Sequence, residues 1–128
     1  MARSLELRLP DVAATRALGE CLAGLLRPGD VIALKGPLGA GKSEFARAVI
    51  RARAGAKIEV PSPSFTLAQD YAFPGLTIRH IDLYRIDDPA ELTEVGLDAP
   101  EGDEAWLIEW PERAGRLLPG DRLDLSLE

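Results

Sequence analysis

Residues Gly36-Pro37-Leu38-Gly39-Ala40-Gly41-Lys42-Ser43 spell G-x-x-x-x-G-K-[ST], and no other stretch restricts the fold of this chain so much. Such a loop works only between a strand and a helix, and both patterns are present. Asp30-Val31-Ile32-Ala33-Leu34-Lys35 is a β-branched apolar run that predicts a buried strand entering the loop, while Phe45, Ala46, Val49 and Ile50 leave it at helical spacing. Glycines at 36, 39 and 41 let backbone N–H groups turn inward toward a polyphosphate, where the positive end of the new helix adds to their field. Gly36, Leu38, Gly39, Ala40, Gly41, Lys42 and Ser43 are therefore the expected nucleotide-binding residues. Lys42 reaches for the β- and γ-phosphates, and Ser43 offers its hydroxyl to Mg²⁺.

Around this loop the chain reads as one domain spanning residues 1–128, with enough apolar residues (46%) to bury a core. Ser4-Leu5-Glu6-Leu7-Arg8-Leu9 alternates like a half-exposed strand, and Asp11 then caps a helix running to Leu26. On that helix Val12, Leu18, Cys21, Leu22 and Leu25 mark the apolar face, so the lone Cys21 reads as a small buried hydrophobe. After the phosphate-loop helix, which should end near Gly55, Pro61 and Pro63 shape a loop through Leu67. Leu67–Phe73 and Leu76–Leu83 predict a hairpin turning at Pro74-Gly75. Residues Pro89 to Val95 predict a short helix, Ala105 to Ile108 a compact strand ending in Glu109, and Leu123, Leu125 and Leu127 a last edge strand. The fold class expected is α/β: a three-layer phosphate-loop NTPase-like sandwich with a mostly parallel central sheet and an antiparallel addition.

Ligands of such sheets bind beyond the carboxyl ends of the strands, which brings Lys42, Asp82 and Glu109 to one mouth. Nucleotide hydrolysis there needs an acidic group for the metal and often a second to orient water; Asp82 and Glu109 are the candidates. Ser64 and Thr66 are candidate switch hydroxyls, Tyr84, Arg85 and Trp110 candidate partner contacts, and the helix start at Asp11 a candidate purine contact. His80, beside a sheet, reads as a hydrogen-bonded structural residue ahead of a proton shuttle.

Charge divides unevenly. Residues 1–57 carry 10 basic and 5 acidic side chains, whereas 58–128 carry 5 and 16, for −6 overall. A free-standing nucleic-acid binder shows the opposite balance. No signal segment or membrane-length apolar run is legible, so the expected location is the cytoplasm.

Several segments together resemble the TsaE (YjeE) ATPases: Leu9-Pro10-Asp11, Gly36 to Ser43, Ser62-Pro63-Ser64-Phe65-Thr66-Leu67, His80-Ile81-Asp82-Leu83-Tyr84-Arg85, Asp88-Pro89-Ala90-Glu91-Leu92 with Gly96, and Ile108-Glu109-Trp110-Pro111. The resemblance implies a slow Mg²⁺-dependent ATPase that supports threonylcarbamoylation of the adenosine beside the anticodon of certain tRNAs. It implies action with a TsaB–TsaD heterodimer, and contact with tRNA only through those partners. On the family's pattern Lys42 and Ser43 hold nucleotide and Mg²⁺, Asp82 and Glu109 serve metal and water, and Ser64 belongs to the switch loop. The chain departs from that pattern at Pro37, where Asp is usual, at Ser43-Glu44, where Thr-Thr is, and at Ser64, where Thr is common. Two other readings remain: a small-molecule kinase using the same loop, disfavoured by the lack of an arginine-bearing lid segment, and a docking module driven by ATP occupancy alone.

Overall fold

The computed structural model describes residues 8–37, 39, 41–61, 63, 67–94 and 98–127. The strand expected over Ser4–Leu9 falls mostly outside them, as do Leu38, Ala40, Ser64 and Thr66.

Among the described residues the elements run α1 (Val12–Ala23), β1 (Val31–Lys35), α2 (Lys42–Ala54), β2 (Ala68–Phe73), β3 (Leu76–Asp82), α3 (Ala90–Glu94), β4 (Glu104–Glu109), a 3₁₀ segment (Pro111–Leu117) and β5 (Leu123–Ser126). The strands form one sheet in the order β2-β3-β4-β1-β5. β1 pairs in parallel with β4 and β5, β3 pairs in parallel with β4, and β2 returns antiparallel along β3 as the second arm of a hairpin. The hydrophobic run of β1 reflects its position: only a strand with neighbours on both sides and layers on both faces buries Val31, Ile32, Ala33 and Leu34 together.

Strand alternation assigns the two faces. Ile32 and Leu34, Leu76 and Ile78, Ala105 and Leu107 join Phe45, Ala46, Val49 and Ile50 of α2 in one core cluster. Val31, Ile81, Trp106 and Ile108 point the other way, against Leu83, Ile86, Leu92 and Ala114. Helices on one face, sheet, and short helical segments on the other make the three layers expected. Each fully buried Leu or Ile contributes roughly 1.5–3 kcal/mol.

Asp11 caps α1 as its sequence position requires, with Oδ1 accepting the Ala14 N–H at 2.9 Å. The buried face of α1, however, is only partly the expected one: Leu18 and Leu22 do pack against the core. Cys21 is exposed, as are Val12 and Leu25, and the helix ends at Ala23 rather than Leu26. The buried ridge is Thr15, Gly19 and Ala23, made of small residues because α2 passes close. A Cβ on Gly19 would stand 2.8 Å from the Ala48 Cβ and 3.0 Å from the Phe45 carbonyl. Backbone approach, not side-chain size, selected that face. A second difference is the 3₁₀ segment, absent from the expected elements although Pro111 at its start is a usual helix-initiating residue.

Candidate functional site

The mouth at the carboxyl ends of β1, β3 and β4 gathers the charged side chains that are buried among the described residues. Lys42 is 5% exposed, Asp82 5% and Glu109 2%. The loop between β1 and α2 owes its course to Gly36, Gly39 and Gly41, whose φ angles of 144°, 84° and 104° lie where other residues are strained. Gly41 occupies the N-cap of α2, so Lys42 and Ser43 open that helix with its positive end beside them.

Lys42 folds back over its own loop. Its Nζ donates to the Gly36 carbonyl oxygen and lies 3.2 Å from the centre of the Trp110 ring. Burial pushes the ammonium below its ordinary pKa, against the opposing pull of Glu109, Glu112 and Asp82. Trp110 reaches this position because its backbone is left-handed, with φ 57° and ψ 50°. It also packs against Tyr84, ring centres 5.1 Å apart, and the Arg113 guanidinium lies 5.8 Å from the Tyr84 ring.

Asp82 and Glu109 are register neighbours across the parallel β3–β4 pair. The Asp82 Oδ1 accepts the Tyr84 N–H at 2.9 Å. Glu109 is held at both carboxylate oxygens: Oε1 accepts from the Ser43 hydroxyl at 2.9 Å, and Oε2 lies 2.6 Å from His80 Nε2. Burial alone would raise the Glu109 pKa, but the His80 ring, the Ser43 hydroxyl and the Lys42 charge hold it below the ordinary carboxyl value. A group ionised in a site this dry is suited to take a cation or a proton.

Of the residues expected from sequence, Gly36, Gly39, Gly41, Lys42, Ser43, Asp82, Glu109, Tyr84 and Trp110 do come together. Asp11 stands at the start of α1, whose Thr15 side chain packs by Gly41, and its carboxylate serves the helix cap. Arg85 is exposed just beyond β3. His80, expected as a hydrogen-bonded structural residue, is also part of the site, and its place in phase with Ile78 and Asp82 on the buried face of β3 is the signal for it. Among the described residues no cluster of three or more His, Cys, Asp or Glu is arranged to hold a metal by itself. The donor set still fits one partner: Mg²⁺ usually takes one or two carboxylates and completes its shell with water and substrate phosphates, and Ser43, Asp82 and Glu109 offer hard oxygens beside a phosphate loop.

Comparison with known proteins bears on the same residues. The family described as "Threonylcarbamoyl adenosine biosynthesis protein TsaE" matches residues 9–128. A Rickettsia bellii protein named tRNA threonylcarbamoyladenosine biosynthesis protein TsaE is 37% identical over 114 residues, covering 89% of this chain and 79% of its own length. The Bacillus subtilis protein of the same name is 33% identical over 127 residues, covering 98% and 78%. The crystal structure of Bacillus subtilis YdiB superposes with a TM-score of 0.76 at 29% identity, covering 98% of this chain and 77% of that one.

Proposed function

The chain belongs to the TsaE family, and from that premise we propose that it binds and hydrolyses ATP with Mg²⁺ in tRNA threonylcarbamoyladenosine biosynthesis. One observation carries the reading: a buried lysine and two buried carboxylates converge on the phosphate loop, with the hydroxyl of Ser43 already bonded to Glu109.

When bound, magnesium nucleotide supplies the scissile phosphoanhydride and the cation that offsets its charge. The chain's own residues do the rest. Backbone N–H groups of this loop, except at Pro37, which has none, would cradle the phosphates. Lys42 leaves the Gly36 carbonyl and the Trp110 ring for the β- and γ-phosphates. Ser43 and Asp82 would hold the metal or its waters. Glu109 Oε1, released by the Ser43 hydroxyl, orients a water and takes its proton. The start of α1 at Asp11 is the candidate purine contact, and Ser64 and Thr66 are the candidate switch hydroxyls.

The acidic half has no catalytic need for so much charge and opposes RNA, whose binding rests on cationic contacts. We therefore assign tRNA to the partners, a TsaB–TsaD heterodimer that docks at the nucleotide mouth against Tyr84, Arg85 and Trp110. Phosphate release measured with and without that heterodimer tests the reading. Slow release alone and faster release in the complex are expected; release at the protein-free rate in both samples overturns it.

A further inference from the structure

His80 is the single histidine of the chain, and it is 1% exposed in the buried face of β3, opposite Leu107 in register. Its Nε2 lies 2.6 Å from Glu109 Oε2, while Nδ1 is buried with no hydrogen-bond partner among the described residues. These two facts fix the chemistry of the ring. A carboxylate oxygen that close requires the proton on Nε2, and a proton placed on Nδ1 instead would be a buried donor without an acceptor while two acceptors faced each other.

Packing does not account for a histidine here. An apolar ring or a leucine would fill the space without an orphaned nitrogen, whose desolvation no hydrogen bond offsets. What an apolar residue lacks is a donor for Glu109. The two oxygens of that carboxylate are divided between unlike supports: Oε1 is bonded to Ser43, whose hydroxyl is also wanted by the metal, and Oε2 is bonded to a ring fixed in the middle of the sheet. We infer that His80 is a positioning residue that anchors Glu109 through Nε2–H···Oε2, so that the carboxylate keeps its orientation when Ser43 turns away. The inference rests on the role given to Glu109 above. A donor on a rigid strand is the arrangement that holds a reactive group most accurately.

Two measurements test it. ¹⁵N-detected imidazole spectra of the nucleotide-free protein read a single ring and need no activity; a proton on Nε2 is expected, and a bare Nε2 with the proton on Nδ1 overturns the inference. Single-turnover ATP hydrolysis and calorimetric nucleotide affinity are then compared for His80→Phe and His80→Gln. Loss of an orienting partner of this kind typically costs about 10–100-fold. His80→Phe should lose that much in rate with affinity kept within about threefold, and His80→Gln, whose amide can donate to the same oxygen, should recover most of it. His80→Phe at the wild-type rate, or His80→Gln no better than His80→Phe with both folded and binding, removes the role. A Glu109→Ala control separates the two readings. Wild-type turnover in that control brings down the role of Glu109 itself, whereas an impaired control beside an unimpaired His80→Phe brings down only His80.

Discussion

The two halves of β3 and β4 obey opposite rules. Toward their starts, Leu76, Ile78, Ala105 and Leu107 are fully buried and wholly apolar; two to four residues later the same faces carry His80, Asp82 and Glu109, nearly as buried and ionisable. In the first half burial and stability coincide. In the second, burial works against the charged groups, and each is kept by a specific partner: Tyr84 N–H for Asp82, Ser43 and His80 for Glu109, the Gly36 carbonyl and an aromatic face for Lys42. One pair of strands thus divides into a part that holds the sheet together and a part that holds charge ready for a ligand. Substitutions in the two parts should show different symptoms.

The largest effect is expected at Lys42. In the proposed reading Lys42→Ala removes the cation that meets the phosphates, and losing one partner of a dry charge pair costs about 2–5 kcal/mol, roughly 30- to several thousand-fold in ATP affinity. Calorimetry on the folded variant checks this, and unchanged affinity would refute it. Leu107→Ala lies two residues before Glu109 on the same face but in the apolar half. It should lower unfolding free energy by about 2–5 kcal/mol through lost burial and a residual cavity, with nucleotide affinity of the remaining folded protein unchanged. Denaturant titration reads the first quantity. If affinity falls in proportion to stability, the two halves are not separable.

Glu109→Ala should keep ATP affinity within about tenfold and lower turnover by roughly 10²-fold, the usual size of a general-base contribution. If Glu109 acts mainly on the metal, affinity in magnesium falls with the rate. Wild-type turnover excludes both roles. A smaller effect follows from acid titration. The folded-state pKa of Glu109 lies below the unfolded value, so in the window between them the unfolded chain binds more protons. Its contribution to stability is complete above the ordinary carboxyl pKa and is lost as pH falls through the lower, folded value. Glu109→Gln has no such proton to bind and should show a shallower loss of stability below that range, measurable as a difference in thermal midpoint against pH.

Local signals made the apolar half legible. The run in β1, the spacing of Phe45, Ala46, Val49 and Ile50, the turn at Pro74-Gly75 and the Asp11 cap each act within a few residues, and each produced the element it predicts. The failures share one cause. The face of α1 was misassigned at Cys21 because the choice was made by contact between Gly19 and Ala48, residues in different helices. In the site, Lys42, Asp82 and Glu109 were legible because strand ends in a parallel sheet converge. The His80–Glu109 bond was not, since it depends on the β3–β4 register between residues 29 apart. Nor was the Trp110 ring over Lys42, which needs a left-handed backbone that no glycine marks.

Arg85 tests whether the boundary between the halves extends outward to a docking surface. It is exposed just past the carboxyl end of β3, beside Tyr84, which is 47% exposed and packs on Trp110, which in turn covers Lys42. A partner contacting this rim would therefore touch a chain of side chains leading to Lys42. In the proposed reading Arg85 belongs to that rim and not to the nucleotide, so Arg85→Glu should weaken partner binding about tenfold, chiefly through a slower and less salt-dependent association. ATP affinity should stay within about twofold, because a reversed charge held outside the dry mouth is screened by solvent. Partner association kinetics and nucleotide titration on one sample give both numbers. The reverse order, intact partner binding with lost ATP affinity, would move Arg85 onto phosphate and end the docking surface at Trp110.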